Sequence, residues 1–240
     1  MERLYFIKHA VATEETGPYC PQIERLSPES EYDAKDSIYR LFDSFHDFPE
    51  SSPKIDFASL KKGSKLTDLL SSSMFVLLGF LVSQKLRNLL ERFQLPSHRF
   101  YSVPVKSEKT TAEYFWMHMI YQYSKLSVEE AQNKHLIFNL SHFIVEKHLS
   151  RVSDISVSSA GELLAKEKEL GYDKSIKATS ITLNEDFLKD VPDLFKIPLI
   201  SNNWIIKQRL RDEIVREKIT GVSMTEVENI NFQPIKYLKK

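Results

Sequence analysis

The chain has one cysteine, Cys20. A single thiol closes no internal disulfide and cannot build a thiolate metal cage. Glycines are few: Gly17, Gly63, Gly79, Gly161, Gly171 and Gly221, the closest two standing ten residues apart. A phosphate cradle needs glycines close together so that backbone can approach the phosphate. This spacing therefore excludes a Walker-type loop and a dinucleotide fingerprint. The longest apolar run is the nine residues from Met74 to Val82, against the roughly 20 that a membrane-spanning helix needs. Charge of one sign is also missing, since Lys+Arg and Asp+Glu are each 33. A dedicated nucleic-acid binder needs a clustered positive surface, so a nucleic-acid-binding module ranks third among the functional readings. The N-terminal MERLYFIKHAVATEE places a glutamate second and holds only a four-residue apolar run, unlike a secretory signal. The expected location is the cytoplasm, with no membrane partner and no direct contact with nucleic acid.

What is present is the composition of an ordinary globular protein, 42% hydrophobic, 28% charged and 11% aromatic over 240 residues. The charge is unevenly spread. Residues 1–60 carry 12 acidic against 6 basic side chains, so the remainder must compensate. Arg3 to Lys8 reads as a strand, and residues 12–64 read as loops with one short helix over AKDSIYRLFDSF. KKGSKLTDLL then leads into an apolar strand, Met74–Val82. After Ser83, Leu86, Leu89, Leu90 and Phe93 recur on one helical face, which Pro96 closes. RFYSVPV follows as a strand that Pro104 pushes toward a sheet edge. AEYFWMHMIYQY is a buried strand. Ser127-x-x-Glu130 and Ser159-x-x-Glu162 are capping boxes, the second helix ending at Gly171. HLIFNLSHFIVEKH and RVSDISV supply two or three further strands.

A second unit resembles the first. DLFKIPLIS ends in Leu199-Ile200-Ser201, as the first strand ends in Leu81-Val82-Ser83. Ile206, Leu210 and Ile214 then form an apolar stripe, with Lys207, Arg211, Asp212 and Glu213 toward water. Gly221 terminates this helix, and VSMTEVENINF returns as a strand. In both units the serine stands at the helix N-cap. The expectation is an α+β protein, a single compact chain over 1–240 built on two related strand-helix-strand units around a mixed or antiparallel sheet. The repeated units span about 64–106 and 193–232, with divergent segments at 1–60 and 126–190.

Chemistry is thinly signalled. Ser51-x-x-Lys54 and Ser59-x-x-Lys62 match serine–lysine spacing, but without partner motifs they are what a Ser/Lys-rich stretch delivers by chance. Cys20, between Tyr19 and Pro21, reads as a bystander thiol. His142, Glu146 and His148 keep alive an alternative reading as a metal-dependent hydrolase or transferase, although no pair has the i, i+4 spacing of a zinc helix. Surface histidines flanking a strand are the plainer account. The aromatic run Tyr114–Tyr121 suits a core strand better than a base-stacking platform. From Glu24 to Glu50 lie eight acidic side chains against three basic ones. Its plain reading is a solvated face, and its functional reading is a footprint for a basic partner.

The stretch KKGSKLTDLLSSSMFVLLGFLVSQKLRNLLERF, followed by HRFYSVPV and EYFWMHMIY, resembles a bacterial immunity-protein family of polymorphic and contact-dependent toxin systems. That family was first defined as a domain of unknown function and named for a myxobacterial member. DLFKIPLISNNWIIKQRLRDEIVREKITGVSM resembles it as well. The matching positions are Leu81, Val82 and Ser83, then Asp193, Leu194, Phe195, Ile200, Ser201, Thr220 and Gly221. The resemblance covers residues 60–125 and 190–232. It implies a cytosolic protein that binds and neutralises a cognate toxin, without catalysis and without a cofactor. It also implies that the matching residues are scaffold, leaving the partner surface to the divergent parts. The expected contact residues are Glu29, Glu31, Asp33, Asp36, Tyr39, Phe42, Asp43 and Asp47, with Tyr32 and Phe45 as further aromatic anchors.

Overall fold

The computed structural model describes residues 2–27, 48, 52–53, 55–73, 79–120, 134–197 and 200–233. Its elements are β1 Leu4–His9, α1 Thr13–Thr16, β2 Ile23–Ser27, β3 Phe57–Leu60, β4 Leu69–Leu70, β5 Gly79–Ser83, α2 Gln84–Leu90, β6 His98–Lys106 and β7 Thr111–Met119. There follow β8 His142–Lys147, β9 Ser150–Ile155, α3 Ala160–Leu170, β10 Lys174–Asn184, α4 Phe187–Asp190, β11 Leu194–Ile197, β12 Ser201–Lys207, α5 Gln208–Arg216, β13 Val222–Glu226 and β14 Ile230–Gln233. The strands form three sheets, ordered β2-β3-β6-β7-β5-β4, β14-β10-β8-β9 and β11-β12-β1-β13. Parallel and antiparallel pairs both occur, so the chain is α+β with mixed sheets. Among the described residues no helix is long and apolar enough to cross a membrane.

The residues group into two compact units. One takes 1–122, 192–194 and 206–225, and the other takes 123–191, 195–205 and 226–240. The helices of both strand-helix-strand units, α2 and α5, fall in the first. Its backbone is the nine-residue antiparallel pairing of β6 with β7, from His98↔Met119 to Lys106↔Thr111, with β5 antiparallel on the far side of β7. Alternation sends Tyr101, Val103, Val105, Tyr114 and Trp116 to one face, where they meet Leu70, Leu81 and Ala58 in a buried core. The other face receives α2, whose Leu86, Leu89 and Leu90 are buried. There the Arg87 guanidinium stacks between Phe100 and Phe115, 4.8 and 4.5 Å from their centroids.

The segment read as loop over 12–64 contains β2 and β3, which pair antiparallel, while β3 pairs parallel with β6. These strands are four and five residues long, too short to show a period in sequence. The fully buried Gln22 helps hold the adjoining chain. Its Nε2 donates to Lys65 O (2.7 Å), and its Oε1 accepts from Ser71 N (3.0 Å) and Ser71 Oγ (3.2 Å). Such a satisfied amide specifies one arrangement of its neighbours. β6 is an interior strand despite Pro104. Its pairing with β3 is registered only at Val105 and Lys106, so the proline lies at the margin of that ladder. β5 begins at Gly79, within the expected Met74–Val82 strand. The helix expected over 34–45 and the Ser127–Glu130 box lie outside the described residues.

In the second unit β10 is the longest strand, antiparallel to β8 and parallel to β14. β8 and β9 form a hairpin turned by His148 and Leu149, both at positive φ (48° and 64°). Ser159 caps α3, its side chain accepting from Glu162 N at 3.2 Å. Glu162 in turn accepts from Ser158 N and Ser158 Oγ, both at 2.7 Å, one residue earlier than a standard capping box. Gly171 ends the helix at φ 74°.

The second strand-helix-strand unit departs from expectation at its start. Ser201 is not a helix cap but the first residue of β12, its Oγ accepting from Asn203 N at 3.1 Å. The N-cap of α5 is Lys207, which makes no side-chain cap. Ile206 belongs to the strand, leaving Leu210 and Ile214 as the buried helical stripe. Lys207, expected in water, is buried. VSMTEVENINF is two strands, β13 and β14, which enter different sheets.

Candidate functional site

The residues that carry the resemblance sit mostly in the first unit, and two carboxylates organise them. Asp68 immediately precedes β4. Its Oδ1 accepts from Ser83 Oγ (2.7 Å), while its Oδ2 accepts from Thr220 N (2.9 Å) and Thr220 Oγ1 (3.0 Å). Lys85 Nζ stands 3.8 Å away. Ser83 Oγ also accepts from Leu86 N at 3.2 Å, as an N-cap. Its proton goes to the carboxylate and one lone pair takes a helix N–H, so the hydroxyl is engaged in structure both as donor and as acceptor. Both carboxylate oxygens likewise accept from structural donors. This is a pinned cap rather than a nucleophile with a free base beside it.

Asp193, just before β11, is fully buried. Its carboxylate meets the Arg209 guanidinium through both oxygens, with Nη2–Oδ2 at 2.6 Å, and Oδ2 also accepts from Gln94 N at 2.9 Å. This bidentate contact raises the Arg209 pKa. Burial lowers that of Lys207, and the Asp193 carboxylate works against the shift. Leu81, Val82, Leu194, Phe195 and Ile200 are buried core. Gly221, at φ 79°, lies so close to Leu69 that a Cβ there would come 2.2 Å from its carbonyl oxygen. The resemblance positions are thus strand ends, a cap, carboxylate pins and core.

Buried ionisable groups lie elsewhere. His118 on β7 is fully buried, stacked on Trp116 at 4.7 Å and met edge-on by Phe48, and among the described residues neither ring nitrogen has a hydrogen-bond partner. Burial, with Arg99 adding repulsion, pushes its pKa down to about 4. His9 on β1 is also held at about 4 by burial, against a backbone hydrogen bond involving Leu70 that raises it. Burial and the Asp68 charge raise the Tyr114 hydroxyl, which donates to Thr67 O at 2.8 Å. In the second unit Lys196 is buried over the Trp204 ring and is lowered to about 8 by burial. His135 has Nδ1 3.1 Å from Asn184 Oδ1 and Nε2 3.2 Å from Asp190 Oδ2.

The metal-ligand alternative is not assembled. His142 is exposed at the start of β8, Glu146 pairs with Lys177 at 3.4 Å, and His148 turns the hairpin. Among the described residues no group of three His, Cys, Asp or Glu side chains is placed to hold a metal ion. Cys20 is exposed. Glu29, Glu31, Asp33, Asp36, Tyr39, Phe42, Asp43 and Asp47, with Tyr32 and Phe45, lie outside the described residues. Sequence reading missed Asp68, Gln94 and Arg209. One signal was available: Asp68-Leu69-Leu70 and Asp193-Leu194-Phe195 both place an aspartate directly before two apolar strand residues. No protein-family model matches the chain, and no curated protein matches it.

Proposed function

We propose that this chain is an immunity protein: it binds a cognate bacterial toxin in the cytoplasm and neutralises it through a protein–protein interface, without catalysis or a cofactor. The observation that carries the reading is the acidic run from Glu24 to Glu50, eight acidic side chains against three basic in a chain of zero net charge. Clustered carboxylates attract a basic partner and accelerate its encounter. If the toxin is a nuclease, they can take the positions of substrate phosphates in its basic cleft. Interspersed Tyr32, Tyr39, Phe42 and Phe45 offer apolar anchors among the charges. The engagement of Ser83, Asp193, Thr220 and Gly221 in structural contacts supports the same reading, because it leaves those residues to the scaffold.

Co-expression with the product of the neighbouring upstream gene tests the class of function: a stable complex that abolishes its toxicity is expected. Stopped-flow association then tests the surface. Reversing Glu31, Asp33 and Asp36 to lysine should slow association by about tenfold or more at low ionic strength, with a smaller deficit in high salt. An unchanged rate would remove the acidic run from the interface.

A further inference from the structure

We infer that the chain carries two copies of one β-β-α-β-β element, clasped to each other crosswise by Asp68 and Asp193, the second copy being completed by the N-terminal strand β1. In the first copy β4, β5, α2, β6 and β7 follow one another in sequence, and the strands lie in the order β6-β7-β5-β4. The second has β11, β12, α5 and β13, and the strands lie in the order β13-β1-β12-β11. β1 therefore holds the central place that β7 holds in the first copy. The second copy is circularly permuted, its last strand standing first in the chain.

Residue-level detail supports this alignment at one constant offset. Ser83, Leu86, Arg87, Leu90 and Ser97 answer to Lys207, Leu210, Arg211, Ile214 and Gly221. The two N-caps share a conformation, Ser83 at φ −69°, ψ 165° and Lys207 at φ −73°, ψ 155°. Leu86 and Leu90 are buried on α2 as Leu210 and Ile214 are on α5. Arg87 stacks over Phe115 of the central strand β7 at 4.5 Å, and Arg211 over Tyr5 of β1 at 5.4 Å. Just beyond each central strand one amide reaches the loop before the post-helix strand: Ile120 N donates to Ser97 O, and Ala10 N to Gly221 O, both at 2.8 Å. This alignment sets Ser83 against Lys207, not against Ser201.

The two aspartates repeat each other and cross over. Asp68 O accepts from Ser83 N at 2.8 Å, and Asp193 O accepts from Lys207 N at 3.0 Å, each bond closing its own copy. Each carboxylate then leaves its copy. Asp68 takes Thr220 N, in the loop after α5, whereas Asp193 takes Gln94 N, in the loop after α2. A cation two residues past each cap stands by: Lys85 near Asp68, Arg209 on Asp193. An ionised acceptor on a backbone N–H is among the stronger hydrogen bonds available, so each pin fixes the other copy's helix end. Further ties run the same way, Arg92 to Glu217 and Lys85 Nζ to Lys218 O at 3.1 Å. The device ties residues 68–94 to residues 193–220.

Hydrogen exchange on the full-length protein reads this directly. Asp193→Asn should speed exchange at Gln94 and the last turn of α2 by at least about tenfold, while Asp68→Asn does the same at Thr220 and the last turn of α5. Acceleration confined to the copy that bears the substitution overturns the clasp. Lys207→Ser supplies the hydroxyl that its counterpart Ser83 has, so exchange at Leu210 N should slow as that amide gains a cap. No slowing at Leu210 overturns the alignment. Should Asp193→Asn prevent folding, the other two substitutions give the same reading.

Discussion

His118 and His9 illustrate how burial of single residues sets a pH response. Both are held near pKa 4 by desolvation, against an ordinary value of 6.5. As pH falls below 6.5 the unfolded chain binds protons that the folded protein refuses. Stability is therefore complete above that value and drains away between 6.5 and 4. Each histidine contributes a loss of about 1–3 kcal/mol across the window. His118→Phe, which keeps a ring against Trp116 and Phe48, should flatten part of the slope. Urea unfolding of both proteins at pH 7 and pH 4.5 measures this, and identical slopes would count against a neutral buried His118. Neither histidine stood out in sequence, because a histidine within an alternating apolar strand looks the same whether it is solvated or enclosed.

At the scale of elements, helix caps separate what is local from what is not. Ser159 caps α3 through contacts within four residues, so Ser159-x-x-Glu162 was legible. Ser83 caps α2 and also donates to Asp68, fifteen residues earlier. Replacing Ser159 with alanine should cost about 1 kcal/mol, the usual value of an N-cap. Ser83→Ala should cost about 2 kcal/mol, because the Asp68 bond goes as well. Urea midpoints decide the matter, and equal costs would deny Ser83 its second role. The Ser201 cap failed for a related reason. Strand β12 runs on through Trp204, Ile205 and Ile206, and its apolar residues mimic the start of a helical stripe. A short apolar run has no period of its own, so only sheet pairing could say where the strand stopped.

At the scale of the molecule the residues form two compact units, and each holds one of the two tryptophans, Trp116 in the first and Trp204 in the second. Fluorotryptophan labelling with fluorine NMR should show the two signals leaving the native state at different urea concentrations. Coincident loss would mean a single cooperative unit. Charge also acts at this scale: under the proposed function, the acidic N-terminal quarter of a neutral chain would steer a basic toxin before contact. The salt dependence of association reports it.

Composition and spacing alone determined the mixed α+β class, the strand-rich centre and the first amphipathic helix with its cap. They could do so because periodicity, caps and breakers are local properties of ten or fifteen residues. The alignment of the two copies, the place of β1 in the second, and the crossing of Asp68 and Asp193 were decided only in three dimensions. Gln94 and Asp193 are far apart in the chain, as are Asp68 and Thr220, and a carboxylate carries no mark of the amide it will meet. That choice belongs to the packing of the sheets, which brings each acceptor to its donor, Asp193 in a fully buried place and Asp68 at a partly exposed one.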